Sequence, residues 1–336
     1  MKDKVENKVD VVGYLRENNL ELKNTANGRA IQGSVTIAFD NLNSIRVKVF
    51  AAEKSQNEKG TINKAFTSLL NLLPEKTTSI KDQLEKTPTA TFDTVKDLAT
   101  KIKAYAEFRE YAVKDDNGVV SSRAEIALRN WFDSIHVFNP NAVFEPGANF
   151  TVDAFIETIK PEMKKVGDGD FEETGRYLIT ALTPDFRGVM QRISYVTEAG
   201  DVSVHIRDYW RERESIQQMT GKVSNIMKVE QKVEDTQFFG QKPTSSVVTS
   251  FVEERLIRGG SATTIDANDS AYAKAGFTDE DVKKGLIARD EVIQKNTENR
   301  QTKGSKTTNA QPQQPVKDFN FTNTPAPNTG FNPKGF

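Results

Sequence analysis

The 336-residue chain contains no cysteine. Disulfides, thiolate nucleophiles and Cys-ligated zinc are therefore excluded, and a reducing compartment fits. Histidine is almost as scarce. His136 and His205 are the two present and lie far apart in sequence, a poor basis for a metal site or a catalytic triad. No apolar run approaches the ~20 residues that a membrane helix needs. The opening MKDKVENKVD is charged and lacks the apolar stretch of a signal peptide. A cytoplasmic chain without membrane contact is expected. A surplus of one charge is missing as well: Lys+Arg number 46 against 47 Asp+Glu, for a net charge of −1. No global field draws the chain to nucleic acid, so any such attraction must come from a local stripe of cations. Apolar residues make up 36% and mean hydropathy is −0.58, so part of the chain is expected to stay unpacked. The length allows two domains, each with its own core.

What is present is best ordered between Val11 and Phe50. Val9 to Leu22 reads as a strand. Asn27-Gly28 is a strong hairpin signal, because both central turn positions need positive φ. Ala30 to Phe39 forms a second strand, in which Gly33 marks a bulge or tight bend. Ile45 to Ala51 alternates cleanly as a third. The period then changes. Ile62, Phe66, Leu69, Leu70 and Leu73 share one helical face, and Pro74 ends it. Glu75 to Thr91 is polar and reads as a mobile loop. Phe92 to Thr100 is either a further helix or the lead-in to a strand. Lys101 to Val113 and Val119 to Phe132 form a hairpin around Asp115-Asp116-Asn117-Gly118, giving five strands and a helix over 8–137. Asn139-Pro140 and Glu145-Pro146-Gly147 place a linker at 138–150.

The second half starts alike. Thr151 to Ile159 follows the pattern of Val11 to Leu22, Pro161-Glu162-Met163 echoes Leu20-Glu21-Leu22, and Gly175-Arg176 echoes Gly28-Arg29. Two readings stand: a diverged repeat over 151–260, or a chance similarity. Strands are expected near Val189–Thr197, Val202–Tyr209, Ser215–Val229 and Ser246–Arg258. Within 261–295, Thr278 opens a short helix with Asp281 as the partner in a capping box and Phe277 stapled to Val282. From 296 to 336 the chain is rich in Gln, Asn, Thr, Pro and Lys, and a disordered tail is expected.

Alternation assigns faces. With Ile45, Val47 and Val49 inward, Arg46, Lys48 and Phe50 face out. With Ile102, Ala104, Ala106 and Phe108 inward, Lys101, Lys103, Tyr105, Arg109 and Tyr111 face out. With Ala124, Ile126, Leu128 and Phe132 inward, Arg123, Arg129 and Trp131 face out. Glu107 and Glu125 fall on the same outer faces. In the second half Val202, Val204 and Ile206 turn in, while His205, Arg207 and Tyr209 turn out, and they either extend this surface or form a solvated, partly amphipathic edge. Cations follow phosphates and rings stack on unpaired bases, each stacked base being worth roughly 1–3 kcal/mol. A duplex hides the faces of its bases, so this chemistry suits a single strand. The bland reading is a solvated face whose rings anchor a protein contact. Tyr14 divides evenly between core and surface.

Gly13-Tyr14-Leu15, Leu20-Glu21-Leu22-Lys23 and Asn27-Gly28-Arg29-Ala30-Ile31, in that order, resemble the opening of bacterial and phage single-stranded DNA-binding proteins, which build an OB barrel. The resemblance covers about the first 40% of the chain. It implies a mainly β protein with two OB-like five-stranded barrels, short helices and a disordered C-terminal tail. It further implies a homo-oligomer that coats single-stranded DNA in replication or recombination, in the host cytoplasm if phage-encoded. Proteins of that family recruit partners through an acidic tail tip and a final Phe. Phe336 is present here, but Lys334 is its neighbour and the acidic cluster is missing. Single-stranded RNA is an alternative target, and a virion or assembly protein using its barrels for protein contacts is the rival reading. No metal, cofactor or catalysis is expected. Gly167-Asp168-Gly169-Asp170 lacks the ligand spacing of a calcium loop, Gly259-Gly260 lacks a P-loop lysine, and no nucleophile has an adjacent base.

Overall fold

The first strand, β1 (Asn7–Thr25), is long enough to serve three neighbours. Toward its start it pairs antiparallel with β4 (Lys101–Lys114), from Val9↔Ala106 to Tyr14↔Lys101. Toward its end it pairs with β2 (Gly28–Ala38), from Tyr14↔Ala38 to Thr25↔Gly28. β2 pairs with β3 (Ser44–Ala52), and β3 runs parallel to β5 (Val120–Leu128) at Val47↔Ile126 and Lys48↔Ala127. β5 returns antiparallel on β4, so the pairing closes a ring in the order β1-β2-β3-β5-β4. A short β6 (Ile135–Val137) continues the β5 edge of β4. The computed structural model describes residues 5–25, 28–54, 61–129, 134–166, 169–185, 187–234, 244–261 and 276–306, and only the backbone for 227–234, 244–251 and 303–306.

The second half repeats the connectivity. β7 (Gly147–Val166), β8 (Asp170–Pro184) and β9 (Met190–Thr197) pair in turn. β9 runs parallel to β11 (Thr244–Gly259) at Val196↔Leu256, β11 pairs with β10 (Ser215–Glu234), and β10 pairs back onto β7. Helices fall at matching places. α1 (Lys64–Leu70), α2 (Ile80–Lys86) and α3 (Phe92–Val95) lie between β3 and β4, and α4 (Asp201–Tyr209) lies between β9 and β10. Both first strands carry a register shift at the equivalent place, Leu15/Glu17 in β1 and Ile156/Thr158 in β7. Among the described residues no helix is long and apolar enough to cross a membrane.

The rings are joined through their first strands. β1 and β7 pair antiparallel from Asn7↔Val152 to Val12↔Gly147, giving one continuous sheet through β4, β1, β7 and β10. Val9, Val11, Phe150 and Val152 point to the same side and share one apolar core. Phe108 of the first ring meets Phe150 and Tyr195 of the second at centroid distances of 5.6 and 5.9 Å. Such aromatic pairs add about 0.5–1.5 kcal/mol each beyond the area they bury.

A reciprocal clasp reinforces the joint. The Asn225 backbone N–H donates to Asn43 Oδ1 at 3.0 Å, and the Glu110 N–H donates to Gln191 Oε1 at 2.8 Å. Asn43 immediately precedes the third strand of the first ring, Gln191 is the second residue of the third strand of the second, and Asn225 and Glu110 lie on the fourth strands. Each ring's fourth strand thus rests on an amide of the other ring. The last helix, α5 (Asp279–Lys306), straps both. Its Arg289 forks onto the Glu110 carboxylate at 2.6 and 2.7 Å. The Arg192 N–H of β9 donates to the same carboxylate at 2.9 Å.

Several expectations need correction. Val202–Tyr209 is helical, not a strand. Val202 and Ile206 are four apart and face the fold, while Val204 is exposed. The span 75–91 contains α2, capped by Ser79, whose hydroxyl accepts from the Asp82 N–H while the Asp82 carboxylate accepts from Ser79. The Thr278–Asp281 box forms as expected, with Phe277 and Val282 in one cluster. The helix it starts is long, however, and runs through 296–306, where a disordered tail is expected from the sequence. β5 ends at Leu128, and the expected end at Phe132 lies outside the described residues. Gly33 is no bulge: the register runs through it, and a Cβ there would sit 1.9 Å from the Asn19 carbonyl oxygen. Residues 307–336, Asn27 and the Gly167-Asp168 pair of the rejected calcium loop lie outside the described residues.

Candidate nucleic-acid interface

β3 builds the centre of the surface. Its buried residues Ile45, Val47 and Val49 alternate with exposed Arg46, Lys48 and Phe50. Phe50 is 55% exposed, unusual for a ring of that size on a strand with a well-filled inner face. The parallel register brings Lys48 beside Ala127 of β5. The β4–β5 register then places Arg109 opposite Glu125 and Tyr111 opposite Arg123. The Arg129 N–H donates to the Tyr105 carbonyl at 3.1 Å. Arg46, Lys48, Phe50, Arg109, Tyr111, Arg123 and Arg129 therefore share the outer face of three adjacent strands.

Their electrostatics are mixed. Lys48 is ion-paired with Glu125. Glu107, expected to face solvent, is 5% exposed and lies 2.8 Å from Arg109 and 3.9 Å from Arg129. The two guanidinium groups compensate the charge that burial would otherwise penalise. Arg46 Nε donates to Ser34 Oγ at 2.8 Å, and the Arg123 guanidinium sits 5.3 Å over the Tyr111 ring. Among the described residues neither Arg46 nor Arg123 is paired with a carboxylate, so both are available to an anion. Gln32, Ser34 and Thr36 of β2 pair with Phe50, Lys48 and Arg46 and extend the face with polar groups. The alternation of Ile31, Val35 and Ile37 in the sequence could have identified them.

Farther along β4, Tyr105, Lys103 and Lys101 continue the outer face where β6 replaces β5. Lys103 and Lys8 lie 4.9 and 5.7 Å from the Tyr105 ring centre, and His136 is 6.1 Å away. Lys101 lies 4.8 Å from the Phe144 ring and 3.4 Å from Asp97. Tyr105 is half-buried beneath these neighbours. Tyr14 belongs to a small core with Phe92 and Phe144. Arg207 and Tyr209 are exposed on α4, a helix of the second ring, with Arg207 paired to Asp208 at 2.8 Å and the Tyr209 ring 4.7 Å from that of His205. They do not prolong the β3–β5–β4 face. Trp131 and Phe336 lie outside the described residues.

The architecture and this face define a class: a β protein of two tandem five-strand rings, one of which carries rings and cations on its outer side. A family model described as YorF matches residues 6–299, and the chain belongs to that family. Comparison with curated proteins finds no match. Among solved structures it is similar to the wild-type single-stranded DNA binding protein from Thermus aquaticus. Identity is 10% and TM-score 0.40, with 81% of this chain and 99% of that one covered. A deletion mutant of that protein gives 8%, 0.42, 80% and 98%. A replication protein A heterotrimer bound to ssDNA gives 10% and 0.20, with 86% of this chain and 70% of that one covered.

Proposed function

We propose that this protein binds single-stranded DNA, without catalysis, on the outer face of β3, β5 and β4, and that each five-strand ring is an OB-like barrel. The observation that carries the reading is the register. It puts Arg46, Tyr111 and Arg123 on one exposed surface with Phe50 four residues farther along β3, so that the surface carries both rings for bases and cations for phosphates. The motifs between Val11 and Phe50 point the same way. On this reading the chain coats unpaired DNA in replication or recombination, as a homo-oligomer in the cytoplasm, the host's if the chain is phage-encoded.

The test is fluorescence anisotropy of labelled oligo-dT with the full chain at low salt. Anisotropy rises with protein and falls again as salt is added, because bound cations are released from the DNA only when phosphates are contacted. Unchanged anisotropy at micromolar protein defeats the proposal. Equal titration with oligo-U identifies the sugar preferred; tighter binding of oligo-U replaces DNA with RNA as the target.

A further inference from the structure

The two rings can be overlaid strand on strand through their pairing registers, and their outer faces do not match. In the first ring Ser34, Lys48 and Ala127 form one row across β2, β3 and β5. The equivalent row of the second ring is Leu178, Val196 and Leu256 across β8, β9 and β11. One step along the strands, Thr36 and Arg46 become Thr180 and Ser194. Two residues past Lys48 stands Phe50; two past Val196 stands Glu198, which is held by Arg258 at 3.1 Å. On the fourth and fifth strands the Tyr111↔Arg123 pair becomes Ile226↔Val252, and Arg109↔Glu125 becomes Ser224↔Glu254.

At these positions the first ring has the rings and two guanidinium groups, Arg46 and Arg123, that form no ion pair with a carboxylate among the described residues, and the second has aliphatic, hydroxyl or acidic side chains. A cation that does stand near this face, Arg176, is forked onto Glu162 at 2.7 and 2.8 Å and also reaches Glu254 at 3.2 Å. That pairing leaves it little to offer a phosphate. Backbone architecture is retained while the binding chemistry is not.

We infer that single-stranded nucleic acid engages the first ring only, giving one site per chain, and that the second ring's matching face is not a nucleic-acid surface. This rests on the function proposed above and assigns its site within the chain. A strand of a length that one ring can hold would therefore bind with a stoichiometry of one, although the chain carries two rings of the same connectivity.

Two measurements on the full chain decide it. The first is native mass spectrometry with an oligo-dT of about eight nucleotides, within the span of one OB-type site. One oligonucleotide per chain is expected; two per chain overturns the inference. The second compares paired variants by anisotropy, with thermal melts confirming that each folds. Phe50→Ala with Tyr111→Ala should weaken binding about tenfold or more, since each removes a stacking ring. Leu178→Ala with Ile226→Ala, at the matching place in the second ring, should change it by less than about twofold. Comparable losses from both pairs, or a larger loss from the second, refute the assignment while leaving nucleic-acid binding intact. If the unaltered chain binds no oligo-dT, the proposed function itself falls, and this inference with it.

Discussion

Glu110 and Arg289 form the joint at which three parts of the molecule meet, and removing either partner should be costly. Glu110 lies on β4 of the first ring, Arg289 on α5, and the Arg192 N–H that also binds the carboxylate belongs to β9 of the second ring. The side chains are 2% and 9% exposed. Glu110→Ala leaves the Arg289 guanidinium buried without a counter-charge and strands the Arg192 N–H. Arg289→Ala leaves the carboxylate with the Arg192 N–H and Ser122 but without a counter-charge. Breaking a buried pair in this way costs about 3–5 kcal/mol, because a charge stays out of water without compensation. The double variant, having neither charge, should cost clearly less than the two single losses added together, by up to about 3 kcal/mol. Replacing the pair by Leu and Met of similar volume should be close to neutral. Urea unfolding followed by circular dichroism measures all four, and hydrogen exchange shows whether α5 opens first. Single variants within about 1 kcal/mol of the parent, or strictly additive losses, would refute a buried and coupled pair.

Acid should act on the same joint. Burial pushes the Glu110 carboxyl up, but the bonds from Arg289 and Arg192 outweigh it and hold the group below its ordinary 4.5. The Arg176 guanidinium holds Glu162 below the same value. Both groups are depressed in the fold, so their stabilisation is complete above 4.5 and is lost as pH falls through the lower folded-state values. Glu110→Gln should flatten the acid limb of a stability-against-pH curve, and an unchanged limb would count against the pair. Gly33→Ala should destabilise by more than about 2 kcal/mol in urea unfolding, since φ is +136° and the new Cβ would meet the Asn19 oxygen at 1.9 Å. Arg46→Ala should make the slope of log affinity against log salt shallower by about 0.7, the share of one phosphate contact on a single strand. An unaltered slope would remove Arg46 from the interface.

The faces of the first three strands were legible because each buries one side, and Ile45, Val47 and Val49 leave no choice for Arg46, Lys48 and Phe50. The helix at Val202–Tyr209 was not, because Val202, Val204 and Ile206 satisfy a period of two as well as a four-residue spacing; Gly200 before it is the local cue for a break. α2 was missed although Ser79 and Asp82 carry the same capping signature that located the helix after Thr278. Its apolar content is low, with Ile80 as its buried residue, so periodicity was silent. The burial of Glu107 depends on Arg109 and Arg129 closing over it from two strands, which no local pattern reports. The pairing of β1 with β7 joins segments more than a hundred positions apart, and main-chain bonds of that kind leave little trace in side-chain type.

That same β1–β7 seam has an evolutionary side. Because the strand pairing itself is made by amide and carbonyl groups that every residue except proline supplies in full, side chains outside the shared core and the Glu110–Arg289 joint can drift without breaking it. Two halves held together in this manner can differ in the chemistry of their outer faces without coming apart. Divergence between the two halves of this polypeptide is then a licence granted by its backbone.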